Sequence, residues 1–398
     1  MSTQTQSVPL TEAPTLVQLK ATRRGLHPWV FQRMLTAPTP RPPSGAVAEL
    51  RNPDGSFAGR GFYNGRARVG FRVLEERAHV SIDRAWFAER LGQALSLRRE
   101  VLGLDKVTDA YRVVNAEGDG LGGLVVDRFG DLVVIEWFAA GMWRQRATLF
   151  DLLRDAFPES RQFAFADKHA QKQENFDAGS VPLPEPALVR EHGIQYAVQA
   201  GAGHKTGFFA DQRDNRARLA TLCEGRSVLD LCCNSGGFAL NAALHGGAQR
   251  VIGVDRDPAI IDTARHNATL NGAAVEFVEA DLFAWLDGAR MRGDRFDVVV
   301  LDPSKQTRDA DRIEQALAAY YRMNLAAMAA VAPGGVLLTC SCTGLISSEL
   351  FLETLRRAAW AARRTLQVFD VQGAAPDHPV LAHVSESRYL KAIFCRVW

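Results

Sequence analysis

Acidic residues stand at or near the ends of four successive apolar runs in the second half of the chain, and a fifth run ends in two cysteines. These positions are Asp230, Asp255, Asp281, Asp302 and the segment Cys340-Ser341-Cys342. An open parallel sheet binds its ligand beyond the carboxyl ends of its strands. The pattern therefore predicts that four carboxylates and two thiols border one crevice.

The turn after the first of these runs contains Gly236 and Gly237, which let a backbone approach a ligand closely. It lacks the Gly-x-Gly-x-x-Gly pattern of a pyrophosphate cofactor. Asp255 suits the two ribose hydroxyls of an adenosyl group, and Asp281-Leu282 suits the edge and face of an adenine. This combination favours S-adenosylmethionine over NAD. The alternative for any one of these acids is a helix cap or a turn residue.

Two segments carry reactive groups at the next two predicted strand ends. Asp302-Pro303-Ser304-Lys305 presents a carboxylate and an ammonium group, and its alternative is an ordinary turn. Cys342 lies where the chain leaves the fifth strand, whereas most single cysteines are buried packing residues. A thiolate at Cys342 is a candidate nucleophile.

Strands and helices alternate from about residue 190, which predicts a doubly wound, Rossmann-like α/β domain over 191–398. The strands that position the crevice are predicted at 227–232, 250–255, 275–279, 297–301 and 336–340. The last ten residues, from Tyr389 to Trp398, form a further predicted strand.

The chain before this domain divides into three parts. Residues 1–15 are polar and predict a flexible tail, and 16–80 contain Asp-Gly and Asn-Gly hairpin signals that predict a small β domain. Residues 81–190 predict a central α+β domain, with a helix at 82–102 and paired strands within 111–138. The glycines of 118–123 fit Gly-x-Gly-x-x-Gly by letter, but a strand follows them, which favours a turn.

Composition excludes several classes of protein. The net charge is +2, and six cysteines without a Cys-x-x-Cys pair predict neither a disulfide scaffold nor a zinc site. No secretory signal or membrane-length apolar run is present, so we expect no membrane association and a cytoplasmic location. Residues 1–80 hold eleven Lys and Arg against five Asp and Glu. This excess of cations suits the binding of phosphate groups, and the alternative is a solvated surface rich in arginine.

The motifs together resemble the large-subunit ribosomal RNA cytosine-C5 methyltransferase I family. The C-terminal resemblance rests on the segments His204-Lys-Thr-Gly-Phe-Phe-x-Asp-Gln-Arg213, Gly236-Gly237-Phe238, Asp255, Asp302-Pro303-x-Lys305 and Cys340-Ser-Cys342-x-Gly344. His27-Pro-Trp-Val-Phe31 resembles the family's RNA-binding PUA domain, which would be a small β-barrel. Further matches, in the central domain and near the end, are Arg112-Val-Val-x-x-Glu117-x-Asp119-Gly120-Leu121, Asp127-Arg-Phe-Gly130, Asp377-His-Pro379 and Tyr389-Leu-Lys391.

The resemblance implies S-adenosylmethionine as cofactor and a cytosine of 23S ribosomal RNA, free or in a large-subunit precursor, as substrate. It assigns Cys342 as nucleophile. In our mechanistic hypothesis, Asp302 is the hydrogen-bond partner of the ring N3 and exocyclic amine, and Lys305 is a cation for the thiolate or a nearby phosphate. The implied cofactor set is Phe208, Gln212, Asp230, Cys232, Asn234, Gly236, Asp255, Arg256, Asp281, Leu282 and Asp302. The predicted RNA contacts are Arg23, Arg24, Arg66, Arg68, Lys205 and Arg213. A homodimer is left open.

Two positions depart from the family pattern Asp-Pro-Pro-Lys-Phe. Ser304 replaces the second proline and Gln306 replaces the phenylalanine, and both positions are expected where the target base enters. Three alternatives therefore stay open. They are methylation of another base atom with Cys342 structural, a non-catalytic RNA-binding assembly factor, and a small-molecule methyltransferase.

Overall fold

The computed structural model describes residues 15–201 and 207–398. The predicted flexible tail therefore lies outside the described residues except for Thr15. The predicted RNA contact Lys205, together with His204 and Thr206 of the same motif, also lies outside them.

The N-terminal unit is a five-stranded sheet with the order β1-β3-β4-β5-β2. Its predicted hairpin turns are confirmed: Gly55 (φ +84°) lies between β3 and β4, which pair antiparallel, and Asn64-Gly65 follows β4 before its antiparallel partner β5. Positive φ is the conformation for which glycine has no steric penalty. The strands are β1 (Leu16–Gln18), β2 (Trp29–Phe31), β3 (Ala46–Arg51), β4 (Phe57–Tyr63) and β5 (Val69–Glu75).

The central unit is a four-stranded sheet, in the order β6-β7-β8-β9, with helices packed against it. Helix α1 (Arg84–Ser96) begins at the side-chain cap Asp83 and continues as a π-helical segment, Leu97–Val101. The strands are β6 (Ala110–Asn115), β7 (Leu124–Phe129), β8 (Leu132–Trp137) and β9 (Arg161–Phe165), and the other helices are α2 (Ala140–Arg144), α3 (Arg146–Ala156) and α4 (Lys168–Glu174). Residues 116–123 form a 3-10 turn and a loop before β7, so the turn interpretation is confirmed.

A hairpin of β10 (Ala187–Glu191) and β11 (Ile194–Val198) connects the central and C-terminal units, and the sequence patterns did not predict it. Glu191 forms a bridge with Thr108 of the central unit. On the other side, Ala197 donates its N–H to the Asn267 side chain over 2.8 Å. The domain boundary expected between 190 and 191 falls inside β10, so it divides this hairpin.

The C-terminal unit is a seven-stranded sheet in the order β14-β13-β12-β15-β16-β18-β17, in which only β18 runs antiparallel to its neighbours. One face packs on α5, α6 and α7, and the other on α8, α9 and α10. The strands are β12 (Ser227–Leu231), β13 (Arg250–Asp255), β14 (Glu276–Glu279), β15 (Phe296–Leu301), β16 (Val331–Ser341), β17 (Leu366–Gln372) and β18 (Lys391–Val397); the helices are α5 (Arg213–Ala220), α6 (Gly237–Leu244), α7 (Pro258–Leu270), α8 (Leu282–Arg292), α9 (Ile313–Ala330) and α10 (Ser348–Ala361).

This arrangement confirms the predicted doubly wound α/β fold and all six strands predicted within it. Strand β17 was missed because it is a largely exposed edge strand with no buried side to reveal it. None of the described helices is long and apolar enough to cross a membrane.

Candidate active site

The carboxyl ends of β12, β13, β14 and β15 meet at one edge because these strands run parallel and in register. Asp255 ends β13, Asp281 follows β14 and Asp302 follows β15, where its N–H donates to the Leu231 carbonyl of β12 over 3.3 Å. Three of the four predicted acids therefore border the same edge.

Asp230 departs from the prediction that all four acids line the crevice. Its side chain is fully buried within β12, and its Oδ2 accepts the N–H of Ala239 in α6 over 3.0 Å. Burial, reinforced by the charges of Asp302 and Asp255, raises its pKa well above the usual range. Because Asp230 has no exposed surface to offer a cofactor, its role is to fix the first turn of α6 to the sheet.

The first strand-to-helix turn has an unusual backbone. Cys232, Asn234 and Gly236 all have positive φ, of +60°, +49° and +87°. A Cβ on Gly236 would lie 2.8 Å from Cζ of Phe277, so only glycine fits there. Left-handed residues other than glycine are concentrated at functional sites, where the surrounding structure enforces them.

Asp255 anchors this turn to β13. Its Oδ2 accepts the N–H of Asn234 over 3.1 Å, and its Oδ1 accepts the N–H of Asp257 over 3.2 Å. Each carboxylate oxygen has a second lone pair. The half-buried Asp255 carboxylate is therefore oriented by the backbone and can still accept hydroxyl donors such as those of a ribose.

Asp281 is the N-cap of α8, as the alternative interpretation held for a single acid. Its Oδ1 accepts the N–H groups of Phe283 and Ala284 over 2.9 and 3.2 Å. Leu282 is half-buried beside it, and Arg256 is exposed after β13. The cap fixes the position of Asp281 at the crevice edge, and its cofactor contact stays a prediction.

Gln212 connects the segment before α5 to the crevice. Its Nε2 donates to Oδ2 of Asp302 over 2.9 Å, and its Oε1 accepts from Nδ2 of Asn215 over 2.6 Å. Both amide residues are buried. The neighbouring prediction for Phe208 is not matched, because its ring is buried against Tyr196 and Phe129 beneath the Arg216 guanidinium. Phe208 is a packing residue.

Cys342 lies one residue beyond β16 and is partly exposed. Its Sγ lies 4.0 Å from the carbonyl oxygen of Pro303, so the thiol and the Asp302-Pro303 segment are neighbours. Gln306 donates its N–H to the Thr343 hydroxyl over 3.2 Å, which ties the two loops together. The substituted residues Ser304 and Gln306 also contact each other, through Gln306 Nε2 and the Ser304 carbonyl over 2.6 Å.

Lys391 is a buried cation at this site to which the sequence patterns assigned no role. It begins β18, and its Nζ donates to the carbonyls of Thr343 and Tyr389 over 2.8 and 2.9 Å. Burial lowers its pKa to about 8, while the Cys342 thiolate raises it and Lys305 lowers it. The signal that could have identified it is a single lysine within the apolar run of β18.

Burial raises the pKa of the other five thiols and keeps them protonated at neutral pH: Cys223, Cys232, Cys233, Cys340 and Cys395. Cys340 is fully buried on β16, two residues before Cys342. Cys232 and Cys342 are the two partly exposed thiols, and Cys342 is the one beside the Asp302-Pro303 segment.

The predicted RNA contacts fall into different environments. Arg213 is buried and ion-paired with Asp377 over 2.9 Å, so its assignment to RNA was wrong and it is a structural cation. Arg23 is mostly enclosed, bonded to Glu76 and the carbonyls of His27 and Ala58. Arg24, Arg66 and Arg68 are exposed on the N-terminal unit.

Comparisons with known proteins agree with this geometry. A model of the S-adenosylmethionine-dependent methyltransferase family matches residues 173–396, and a model of a PUA-like domain matches 19–76. The chain is 38% identical over 381 residues to a protein of Shewanella amazonensis named ribosomal RNA large subunit methyltransferase I, covering 94% of this chain and 96% of that one. A protein of the same name from Klebsiella pneumoniae is 36% identical over 396 residues, covering 96% and 98%.

Two solved structures share the fold over nearly the whole chain. SMU.776, a methyltransferase complexed with SAH, gives a TM-score of 0.79 at 20% identity, covering 96% of this chain and 99% of that one. A protein of Streptococcus mutans described as a SAM-dependent methyltransferase gives 0.77 at 20% identity, covering 96% and 100%.

Proposed function

Because the chain belongs to the ribosomal RNA large subunit methyltransferase I family, whose cofactor is S-adenosylmethionine, we propose that it methylates C5 of a cytosine in 23S ribosomal RNA. The observation that carries the choice of C5 is the position of Cys342. It is a partly exposed thiol beside Asp302-Pro303 and within the electrostatic range of Lys391.

The crevice has the groups that S-adenosylmethionine needs. The Asp255 carboxylate suits the ribose hydroxyls, the turn at Gly236 allows close backbone approach, and Leu282 beside Asp281 suits an adenine. When bound, the cofactor supplies an electrophilic methyl group on sulfur. Asp230 and Phe208 do not contribute to this set directly, because both are buried.

A thiolate solves the chemical difficulty of C5, which is a poor nucleophile in cytosine. The Cys342 sulfur adds to C6, and the electron pair of the C5–C6 bond becomes available at C5. With the cofactor bound, C5 would be the nucleophile toward its methyl group, and the electron pair of the carbon–sulfur bond would stay on the departing sulfur. A base then removes the C5 proton, and the electron pair of that C–H bond re-forms the C5–C6 double bond. The Sγ–C6 bond breaks with its electron pair on the sulfur of Cys342. The target base leaves any helix to reach the crevice.

Two further groups suit this step. Asp302, oriented by Gln212, can hold the N3 and exocyclic amine edge of cytosine if one proton is shared between them. The cation of Lys391 stabilises the thiolate form of Cys342 electrostatically, and Lys305 adds a second cation or binds a nearby phosphate.

The experiment compares RNA from a deletion strain complemented with wild type, Cys342→Ala or Cys223→Ala. Cys223 is a fully buried cysteine outside the crevice and serves as the matched control. We expect 5-methylcytidine in 23S RNA with wild type and with the control, and its loss in Cys342→Ala, which still binds S-adenosylmethionine. Full methylation by Cys342→Ala contradicts the covalent mechanism.

Trapping tests the bond itself. Wild type incubated with cofactor and 23S RNA containing 5-fluorocytidine should form a covalent adduct, because fluorine cannot leave as a proton does. A methylated uridine or a ring-nitrogen methyl group, found by nucleoside mass spectrometry, would instead identify another base atom. Binding of cofactor and RNA without any turnover would identify a non-catalytic assembly factor. Parallel assays on free RNA and on precursor particles identify the physiological form of the substrate.

A further inference from the structure

The structure contains a cleft of about 670 Å³ between the N-terminal and central units, and the described residues that line it lie within 41–177, outside the C-terminal sheet that carries Cys342. Its lining comes from the β2–β3 and β4–β5 loops, the start of α2 and α3, and the loop after α4. The lining residues used below are Arg41, Arg66, Arg144, Arg146, Trp143 and Phe176. We propose that this arginine cleft binds an unpaired strand of the RNA substrate, outside the methylation site.

Charge is the first argument. The four arginines of the cleft are exposed, and none of them forms an ion pair with a carboxylate of any described residue. Their contacts are to neutral acceptors, such as Arg144 Nε to the Ser44 carbonyl over 2.8 Å. Among the residues that the structure describes, Asp177 is the one acid that lines the cleft. Four uncompensated cations in a concave surface create a potential that favours a polyanion.

Several neighbouring arginines are instead held in ion pairs. Arg72 of the same β domain is paired with Glu174 over 2.7 Å, and Arg112 of the central sheet is paired with Asp127 over 2.6 Å. Arginine is therefore used for internal ion pairs elsewhere in these units. The cleft is a place where the guanidinium donors, which fit phosphate oxygens, remain accessible.

Aromatic rings provide the second argument. Trp143 and Phe176 are half-buried in the lining, with ring centroids 5.9 Å apart and planes inclined at 30°. The Arg146 guanidinium carbon lies 4.4 Å from the Trp143 ring centroid. Bases of single strands stack on aromatic rings and guanidinium planes, whereas bases in a duplex are already stacked. The combination favours an unpaired strand.

The cleft is held open by a tight junction between the two units. Gly45 has φ +80°, and a Cβ there would lie 2.5 Å from the carbonyl carbon of Ala140. A Cβ on Gly141 would lie 2.1 Å from the Phe62 ring. The buried Asn64 donates to the Glu174 carbonyl over 2.7 Å. These contacts fix the two walls relative to each other, so binding requires little ordering of the protein.

The test measures the binding of transcribed 23S RNA across a series of salt concentrations by wild type and Arg144→Gln/Arg146→Gln. Loss of two phosphate contacts should weaken binding about tenfold or more and reduce the slope of log K against log salt by about 2. The matched control is Arg154→Gln, an exposed arginine of α3 outside the cleft. All variants should keep wild-type affinity for S-adenosylmethionine, which verifies folding.

Kinetics and competitors complete the test. The double variant should raise KM for RNA and keep kcat, since the cleft shares no lining residue with the Cys342 site. Single-stranded RNA should compete for the cleft and duplex RNA should not. An unchanged salt slope, or equal competition by duplex, overturns the proposal. So does a cleft-dependent affinity for adenosine monophosphate with RNA binding unaffected, which would identify a mononucleotide site.

The inference rests on the proposed function only in taking RNA as the ligand, and the two can fail separately. RNA binding that depends on the cleft, without any cytosine methylation, would refute the C5 proposal and support the cleft proposal. Cytosine methylation together with wild-type RNA affinity of the double variant would refute the cleft proposal and support the C5 proposal.

Discussion

The side-chain amide of Gln212 donates to Oδ2 of Asp302 over 2.9 Å, and so fixes the carboxylate next to the Pro303 carbonyl that Cys342 contacts. Asn215 fixes the amide in turn, over 2.6 Å. A residue before α5 therefore orients the acid at the end of β15. The crevice depends on this relationship between segments that are 90 residues apart in the chain.

Gln212→Glu should reduce methylation more than Gln212→Met. The glutamate places a second carboxylate against Asp302, whereas methionine only removes the donor. Loss of the donor should cost about 1–3 kcal/mol, or tenfold to a hundredfold in kcat/KM. The matched control is Gln162→Met, which removes an amide donor to the Phe150 carbonyl in the central sheet. Equal activity of the two Gln212 variants would argue against the orienting role.

Lys391→Met should lower kcat about tenfold, the change that 1.4 kcal/mol produces, and leave cofactor affinity unchanged. The pKa of Lys391 is lowered to about 8, so its ammonium form is present below pH 8 and is lost above it. If that charge assists the Cys342 thiolate, part of the wild-type rate should fall as pH rises through 8. The variant should lack this limb of its pH–rate profile, and an identical profile shape contradicts the assignment.

Gly236→Ala should destabilise the protein and weaken cofactor binding, as measured by urea unfolding and calorimetry. The positive φ costs an alanine about 1–3 kcal/mol, and the contact of 2.8 Å with Phe277 adds to it. Gly272→Ala is the matched control, since Gly272 has φ +60° and no atom within 4 Å of the added methyl group. In the control, the free energy of unfolding should fall only by the cost of placing an alanine at positive φ, and the affinity for the cofactor should equal that of wild type. Equal effects of the two changes would mean that the Phe277 contact is unimportant.

Glu136→Gln should change how stability depends on pH. Burial is the main cause that raises the pKa of Glu136 from 4.5 to about 7, with smaller effects of Arg112, Asp127, Asp167 and Arg308. Between these values the folded protein holds a proton that the unfolded chain has lost, so the free energy of unfolding falls as pH rises. Urea unfolding should show equal stability of the two proteins near pH 4 and an advantage of the variant of up to roughly 3 kcal/mol above pH 7. If the free energy of unfolding depended on pH in the same way in both proteins, the raised pKa of Glu136 would be contradicted.

The predicted elements of the C-terminal sheet agree with the structure because the apolar pattern of a buried parallel strand or an amphipathic helix lies within its own stretch of sequence. Asp255 and Asp302 could be assigned to the crevice for the same reason, since a strand end is visible in one sequence. The edge strand β17 could not, because both of its faces are largely exposed. The hairpin β10–β11 was missed although its signal is local, in alternating buried residues on either side of a turn at Gly193.

The sequence by itself determined the fold class, the edge at which the acids gather and the place of Cys342 just after a strand end, since each follows from local periodicity and the residue at a strand end. Only the tertiary structure decided the burial and partners of individual side chains. It enclosed Asp230, Phe208 and Arg213, brought Lys391 into range of Cys342, and grouped the arginines of the cleft. Burial sets the charge and accessibility of a group, and it depends on packing between segments far apart in the chain.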